Sequence, residues 1–121
     1  MKKKIVSLSL AAMLSVISSG AVLAVPGDST NVTAYPNTNN ATRSIAGADA
    51  YGKATLQSQG NASGYVWEVC PGISTRVVDL STNSSKQEDS YTIYMKAGCN
   101  YTLNISSLSS YAAKGFIRNY N

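Results

Sequence analysis

From position 50 onward, the chain consists of short runs in which apolar and polar residues alternate, separated by clusters of Gly, Pro, Asn and Ser. Alternation points successive side chains to opposite faces of a strand, so one face of each run is apolar. The runs predict strands over residues 50–58, 65–70, 75–81, 90–96, 99–106 and 111–118. Short strands with turn residues about every ten positions are typical of an all-β sandwich or barrel. We therefore predict a small antiparallel β-sandwich of about five to seven strands.

The runs at 90–96 and 99–106 predict a hairpin around Ala97-Gly98, where Gly98 supplies the positive φ of the turn. In both runs the large apolar side chains are concentrated at odd-numbered positions. The residues that we expect to face the core are Tyr91, Ile93, Met95, Cys99, Tyr101, Leu103 and Ile105.

In two further strands, charged residues indicate which face is buried. If the even-numbered residues of run 65–70 were buried, Glu68 would enter the core without a partner, which is costly. We therefore expect Tyr65, Trp67 and Val69 to point inward. In the last run, the two basic residues share the phase of Phe116, so we expect Ile117 inward and Phe116 outward.

Residues 25–45 have a different composition, with Pro26, Pro36 and many Asn and Thr residues but few large apolar groups. Such a segment buries too little apolar surface to offset the entropy lost on ordering. We predict a flexible N-terminal arm, or a loosely attached first strand, over residues 25–45. The compact β-sandwich domain is predicted over residues 46–121.

The first 24 residues have the three parts of a secretory signal peptide. Lys2 to Lys4 form a positive segment, residues 5–23 are mostly apolar, and Val22-Leu23-Ala24 is a small-residue cleavage pattern. We predict cleavage after Ala24 instead of a retained membrane anchor, because serines and Gly20 interrupt the apolar run. We expect no stable membrane insertion of the mature chain, because its C-terminus carries no apolar run that could hold it in a membrane. A short leader that begins with lysines indicates a bacterial protein. The expected location is secreted and extracellular, or the periplasm of a Gram-negative host.

Export determines how the two cysteines are interpreted. An oxidising compartment favours a disulfide, and Cys70 and Cys99 are the two cysteines of the chain. We predict one disulfide between them, with Cys70 reaching Cys99 from a facing or neighbouring strand. In the chain-entropy model, closing a loop of about 30 residues is worth about 3 to 4 kcal/mol. The sequence lacks the C-x-x-C spacing of a redox pair.

Charge and residue content exclude several classes of function. The net charge is +4, but without Lys2 to Lys4 seven basic residues face six acidic ones. These seven are dispersed from Arg43 to Arg118, so we expect no nucleic-acid binding. With no histidine and both cysteines in a disulfide, neither a nucleophile–histidine pair nor the usual zinc or copper site can form. We predict a protein that is not an enzyme, with no catalytic residue, no cofactor and no metal.

The six acidic residues are the remaining candidates for catalytic or metal-binding oxygens. A glycosidase needs two carboxylates facing each other across a cleft. Glu68 and Asp79 are the candidates that fall in predicted strands, and a domain this small leaves little room for a cleft. Glu88-Asp89 lies in a polar stretch whose spacing matches no calcium motif, so we interpret it as a solvated loop.

Tyrosine is abundant, since the chain contains eight Tyr, one Trp and one Phe, all after the leader. Packing accounts for the aromatic residues on predicted core faces. The opposite faces carry Tyr51, Tyr94 and Phe116, interleaved with amide, hydroxyl and basic side chains. Flat rings with polar groups between them give a large contact area at low entropic cost. We predict that these three residues bind a cell-surface glycan or an extracellular protein.

Two other functions are consistent with the same residues. One is a secreted antagonist, either a bacteriocin-like protein or a protease inhibitor. The other is a structural, self-associating extracellular component, because sheet edges with few charges can pair with one another. The sequence contains no feature that names the target of any of these functions.

Six N-x-Ser/Thr triplets begin at Asn31, Asn40, Asn61, Asn83, Asn100 and Asn104. In a eukaryotic host such triplets are acceptors for N-linked glycans. In a chain with this much Ser and Thr, and with a bacterial type of leader, we interpret them as a result of composition.

Overall fold

The computed structural model describes residues 27–121, which form two antiparallel β-sheets. The signal peptide predicted for residues 1–24 lies outside the described residues. The strands are β1 (Ser29–Ala34), β2 (Asn39–Ala41), β3 (Ile45–Ala46), β4 (Ala50–Ser58), β5 (Ala62–Cys70), β6 (Ile73–Thr82), β7 (Glu88–Met95), β8 (Asn100–Ser107) and β9 (Ala113–Arg118). Between residues 27 and 121 there is no helix long and apolar enough to cross a membrane.

The strands are shared between the sheets in a non-sequential order. Sheet A has the order β1-β9-β4-β7, and sheet B has the order β2-β8-β5-β6, with β3 also pairing with β8. Because β2 and β3 pair with opposite ends of β8, together they occupy one strand position. This order is that of a jelly roll, an antiparallel sandwich of eight strand positions. The prediction of a small antiparallel β-sandwich is confirmed.

The structure differs from the predicted flexible arm over residues 25–45. β1 pairs with β9 over six residue pairs, and β2 and β3 pair with β8. Ala34 and Ile45 are both buried, and the Oγ1 of buried Thr42 accepts a hydrogen bond from the backbone N–H of Leu103. Hydrogen bonds to strands β8 and β9 therefore order this segment, although it contributes few apolar side chains. These strands also raise the strand number above the predicted range.

The core lies between the sheets. β8 is an inner strand of sheet B and buries Tyr101, Leu103 and Ile105, as its odd-numbered pattern predicts. On β9 of sheet A, Ile117 is buried and Phe116 faces outward, which confirms the prediction for that strand. The two sheets thus bury the apolar faces that alternation assigns to β8 and β9.

The predicted hairpin between residues 90–96 and 99–106 is wrong. β7 pairs with β4 in sheet A and β8 pairs with β5 in sheet B, so the segment between them crosses from one sheet to the other. Gly98 has the predicted positive φ, 88°, but it serves this crossing. Ile93 and Met95 are buried as predicted, whereas Tyr91 is 50% exposed on the edge strand β7. Alternation indicates which face of a strand is buried, but it does not indicate which strands pair with it.

The phase of β5 is opposite to the predicted one. The buried residues of this strand are Ala62, Gly64 and Val66. Trp67 is therefore on the outer face of sheet B, and Glu68 points inward. The hydroxyl of Tyr101 donates a 2.6 Å hydrogen bond to Oε2 of Glu68. The prediction failed because it assumed that Glu68 had no partner in the core.

The predicted Cys70–Cys99 disulfide is confirmed. Cys70 ends β5, Cys99 immediately precedes β8, and the register of the two strands places these residues opposite each other. The bridge therefore joins neighbouring strands of one sheet. Because disulfides persist in oxidising compartments, this bridge in a small β domain fits an extracellular protein.

Reduction of the disulfide is expected to lower the melting temperature by at least about 10 °C. The bridge contributes about 3 to 4 kcal/mol, and 1 kcal/mol corresponds to about 4 to 8 °C for a domain of this size. Thermal unfolding followed by circular dichroism, with and without reductant, measures the shift. The Cys70→Ala/Cys99→Ala variant separates loss of the bridge from other effects of the reductant. A melting curve that reduction leaves unchanged would contradict this expectation.

Candidate functional site

The outer face of sheet B carries two aromatic rings side by side. Tyr65 and Trp67 alternate with buried residues of β5, so both project away from the core. Their ring centroids are 6.3 Å apart and their planes meet at 77°, which is an edge-to-face contact. Trp67 is 37% exposed. We name these two rings the Trp67 platform.

A β-bulge in β6 shapes one side of the Trp67 platform. Val66 and Trp67 are consecutive on β5, and their partners on β6 are Val78 and Arg76. Val77 is therefore an extra residue on β6, without a partner of its own in the register. Beyond such an insertion, the inward and outward phases of the strand are exchanged. On one side of Val77, the side chains of β6 therefore face the opposite way from those of a regular strand.

The bulge places Arg76 and Asp79 on the same face, although residues three apart on a regular strand face opposite sides. The Arg76 guanidinium lies over the ring of Tyr65, with its carbon 4.3 Å from the ring centroid. Its Nη2 lies 2.6 Å from Oδ1 of Asp79. This ion pair supplies hydrogen-bond donors and acceptors beside the rings and adds no net charge to the face.

A polar depression of about 480 Å³ adjoins Tyr65 on the side of β8. Its walls include the side chains of Asn39, Asn40, Asn104 and Ser106. Asn104 lies directly across from Tyr65 in the register of β5 and β8. Within residues 27–121, no hydrogen bond engages the side-chain amides of Asn39 and Asn104. Both amides can therefore donate to a ligand and accept from it.

Beneath the Trp67 platform, two partly buried hydrogen bonds meet at the hydroxyl of Tyr101. The hydroxyl of Tyr101 donates to Glu68 and accepts a 2.9 Å hydrogen bond from the backbone N–H of Lys96. Burial, together with the hydrogen bond to Glu68, raises the pKa of Tyr101 to about 12. Tyr101 therefore stays protonated at neutral pH and remains a donor to Glu68. This contact fixes β5 in the phase that exposes its aromatic rings.

The three residues predicted to bind a partner lie on the outer face of sheet A. Tyr51 of β4 lies opposite Tyr94 of β7, with ring centroids 5.2 Å apart and planes at 79°. Phe116 of β9 is 37% exposed and is separated from that pair by the row of Lys53 and Arg118. The structure thus brings Tyr51 and Tyr94 together and leaves Phe116 apart. Their role in binding stays a prediction.

The two carboxylates considered as a glycosidase pair have different partners. Glu68 accepts the hydrogen bond from Tyr101 beneath sheet B. Asp79 is paired with Arg76 on the outer face. These contacts give each carboxylate a structural role and point the two groups to different sides of the sheet.

Glu88 and Asp89 begin β7 instead of lying in the predicted loop. Glu88 accepts a 2.6 Å hydrogen bond from the side-chain amide of Gln57, and Asp89 pairs with Lys86 at 3.1 Å. In the part of the chain that the structure describes, no three His, Cys, Asp or Glu residues come together as a metal site requires.

Sequence reasoning missed the Trp67 platform and the polar groups around it. The sequence does contain a signal for the true phase of β5. Its even-numbered residues Ala62, Gly64 and Val66 are small and apolar, and they form the inward face. The sequence gives no such signal for the bulge at Val77, because a prediction from alternation treats every residue of a strand as regularly paired.

No family model matches the sequence, and no curated protein matches it. Among solved structures, the mitogen YPM from Yersinia pseudotuberculosis is 13% identical with a TM-score of 0.49, covering 77% of this chain and 85% of that one. A de novo designed double-stranded β-helix is 18% identical with a TM-score of 0.40, covering 75% and 96%. Murine APRIL is 8% identical with a TM-score of 0.41, covering 75% and 99%. Similarities this distant carry no information about ligand or activity.

The stability of the protein is expected to fall between pH 10 and pH 12 because of Tyr101. Below pH 10, Tyr101 is protonated in both the folded and the unfolded state. Between its unfolded pKa near 10 and its folded pKa of about 12, only the unfolded chain releases the proton, so the free energy of unfolding decreases as the pH rises. Two pH units correspond to a loss of about 2 to 3 kcal/mol. Denaturant unfolding across this pH range measures the loss.

Tyr101→Phe should flatten this pH dependence, at the cost of lower stability at pH 7, where Glu68 loses its donor. Tyr94→Phe is the matched control, because Tyr94 is an exposed tyrosine. Equal pH dependence in the two variants would contradict the role given to Tyr101.

Proposed function

We propose that the protein is a secreted, non-catalytic binding module that recognises a neutral carbohydrate on the outer face of sheet B. The observation that carries this proposal is that Trp67 is exposed and that its neighbour Tyr65 borders a depression in which two side-chain amides have no partner within the described chain. A jelly roll supplies the rigid sheet on which such a face can be held.

The chemistry of the face suits a sugar ring. A pyranose has an apolar C–H face, which packs against an aromatic ring, and hydroxyl groups around its rim, which need donors and acceptors. Trp67 offers an exposed aromatic surface, while Asn39 and Asn104 offer amide donors and acceptors in the depression that Tyr65 borders. The depression beside Tyr65 has a volume within the range of small-ligand sites.

The electrostatics of the face favour a neutral ligand over a charged one. The charged pair next to the rings, Arg76 with Asp79, sums to zero and presents both a forked donor and a carboxylate. Neighbouring hydroxyl groups of a sugar can bond to both members of this pair without disturbing the charge balance. A charged ligand would gain no net attraction, because attraction to one member of the pair is offset by repulsion from the other.

Binding without catalysis is supported by the residue content of the chain. It contains no histidine, and both cysteines are in the disulfide. The two carboxylates of β5 and β6, Glu68 and Asp79, are held by Tyr101 and Arg76. The antagonist and the self-associating component stay predictions, because no particular contact of the described chain favours either one.

A glycan array followed by calorimetry on the best-bound sugar tests the proposal. Trp67→Ala is expected to weaken binding at least about tenfold, the usual effect of removing a central aromatic contact. Asn104→Ala should weaken it to a smaller degree, through the loss of an amide. Tyr94→Ala is the matched control, because it removes an exposed ring from the opposite face and should leave affinity within about twofold of the original.

Two results would contradict the proposal. The first is an array with no bound glycan. The second is glycan binding that survives Trp67→Ala and is lost in Tyr94→Ala, which would move the site to the residues on sheet A. Capture of a protein ligand by the Trp67 platform would replace the carbohydrate with a protein partner.

A further inference from the structure

A second recognition feature lies on the outer face of sheet A, on the side of the sandwich opposite the Trp67 platform. Lys53 of β4 lies directly across from Arg118 of β9, and both side chains are half-buried. Like charges placed directly opposite on neighbouring strands destabilise a sheet. A negatively charged group between the two side chains would remove that repulsion.

No acidic residue in the described chain forms an ion pair with Lys53 or Arg118. The ion pairs within residues 27–121 are Arg43–Asp28, Arg76–Asp79 and Lys86–Asp89. The acid on this face is Glu88, which lies across from Gln57, two rows away from Lys53. The positive pair is therefore uncompensated on the surface where it lies.

The pair borders a depression of about 190 Å³. The other side chains around this depression include Ser29, Asn31, Thr55, Phe116 and Tyr120. Hydroxyl and amide groups thus line the same depression as the two cations, together with the rings of Phe116 and Tyr120. A small organic molecule that carries one negatively charged group could contact the cations, the polar groups and a ring at the same time.

Local contacts hold the Arg118 guanidinium in position. Its Nε donates a 3.0 Å hydrogen bond to the backbone carbonyl of Tyr120, and its carbon lies 5.1 Å from the Tyr120 ring centroid. Among the described residues, its two terminal nitrogens take part in no hydrogen bond. They remain available as a planar pair of donors, the geometry that oxyanions bind best.

We propose that this depression binds a phosphate or sulfate ester carried by a sugar. The Arg118 guanidinium and the Lys53 ammonium contact the ester oxygens, and the ester supplies the charge that the face lacks. Phe116 packs against the apolar side of the attached ring, while Asn31 and Thr55 meet its hydroxyl groups. The site is independent of the proposed neutral-sugar site, because it lies on the other sheet and uses none of the same residues.

The test is a titration followed by two-dimensional ¹H–¹⁵N NMR at 0.15 M salt, where attraction over more than about 8 Å is screened. The probes are inorganic phosphate, inorganic sulfate, glucose 6-phosphate, glucose 6-sulfate and, as the uncharged reference, glucose. We expect saturable binding of both esters, tighter than that of the inorganic ions, with the largest shifts at Lys53, Phe116 and Arg118. Glucose should leave these signals unchanged.

Lys53→Gln and Arg118→Gln are each expected to weaken ester binding at least about tenfold. Lys114→Gln is the matched control, because it removes the same charge from the same sheet face, four residues along β9 from Arg118. It should change the affinity by less than about twofold. The dispersion of each variant's NMR spectrum verifies that the variant is folded, and the shift map of the unmodified protein tests the site without any substitution.

Several outcomes would overturn the proposal. Chemical shifts that do not saturate would indicate general attraction by a positive surface. An equal loss of ester affinity in Lys114→Gln and Lys53→Gln would indicate the same. Tighter binding to vesicles containing phosphatidylglycerol than to the sugar esters, with the same dependence on Lys53, would identify a membrane surface as the ligand. Trp67→Ala should leave ester binding intact, so failure of the neutral-sugar site and failure of this site are separately visible.

Discussion

The hydrogen bond from Tyr101 to Glu68 permits β5 to direct its even-numbered residues toward the core. A carboxylate between two sheets is costly unless it has a good donor, and the buried hydroxyl of Tyr101 is such a donor. With Glu68 satisfied, the small residues of β5 pack inward and its two large rings lie outside. The candidate carbohydrate site therefore depends on one polar contact beneath it.

The two outer faces of the sandwich have different chemistry although the same alternation produces both. On sheet B, the charges beside the rings cancel and amides line a depression. On sheet A, two cations stand opposite each other without an acidic partner in the described chain. Because the two faces belong to separate sheets, the two proposed sites share no residue.

The fold class can be predicted from the sequence because apolar and polar residues alternate regularly in strands such as β4 and β8. The strand predicted over residues 50–58 matches β4. The disulfide is predictable from the number of cysteines together with the predicted export. Pairing could not be predicted, since alternation is the same whether β7 and β8 form a hairpin or belong to different sheets. β1 to β3 escaped detection because hydrogen bonds to β8 and β9, more than their own apolar side chains, order them.

The candidate sites were harder to predict than the fold. Tyr51, Tyr94 and Phe116 lie on an outer face, as their phase indicates, but their separation depends on strand order. The sequence places Trp67 in the core, because it gives no sign that Glu68 has a partner: Tyr101 is 33 residues away, and only the tertiary structure brings the two together. The Lys53–Arg118 pair likewise exists only once β4 and β9 are neighbours.

The extra residue in β6 also makes that edge of sheet B a poor template for pairing with another strand. β6 is an edge of sheet B, and a regular edge offers evenly spaced backbone donors and acceptors to a strand from another molecule. Val77 breaks that spacing and increases the local twist, so an added strand would lose register partway along. At the other edge, the short pieces β2 and β3 interrupt the ladder. Neither edge of sheet B, as described, is thus suited to extension into a fibril by strand addition.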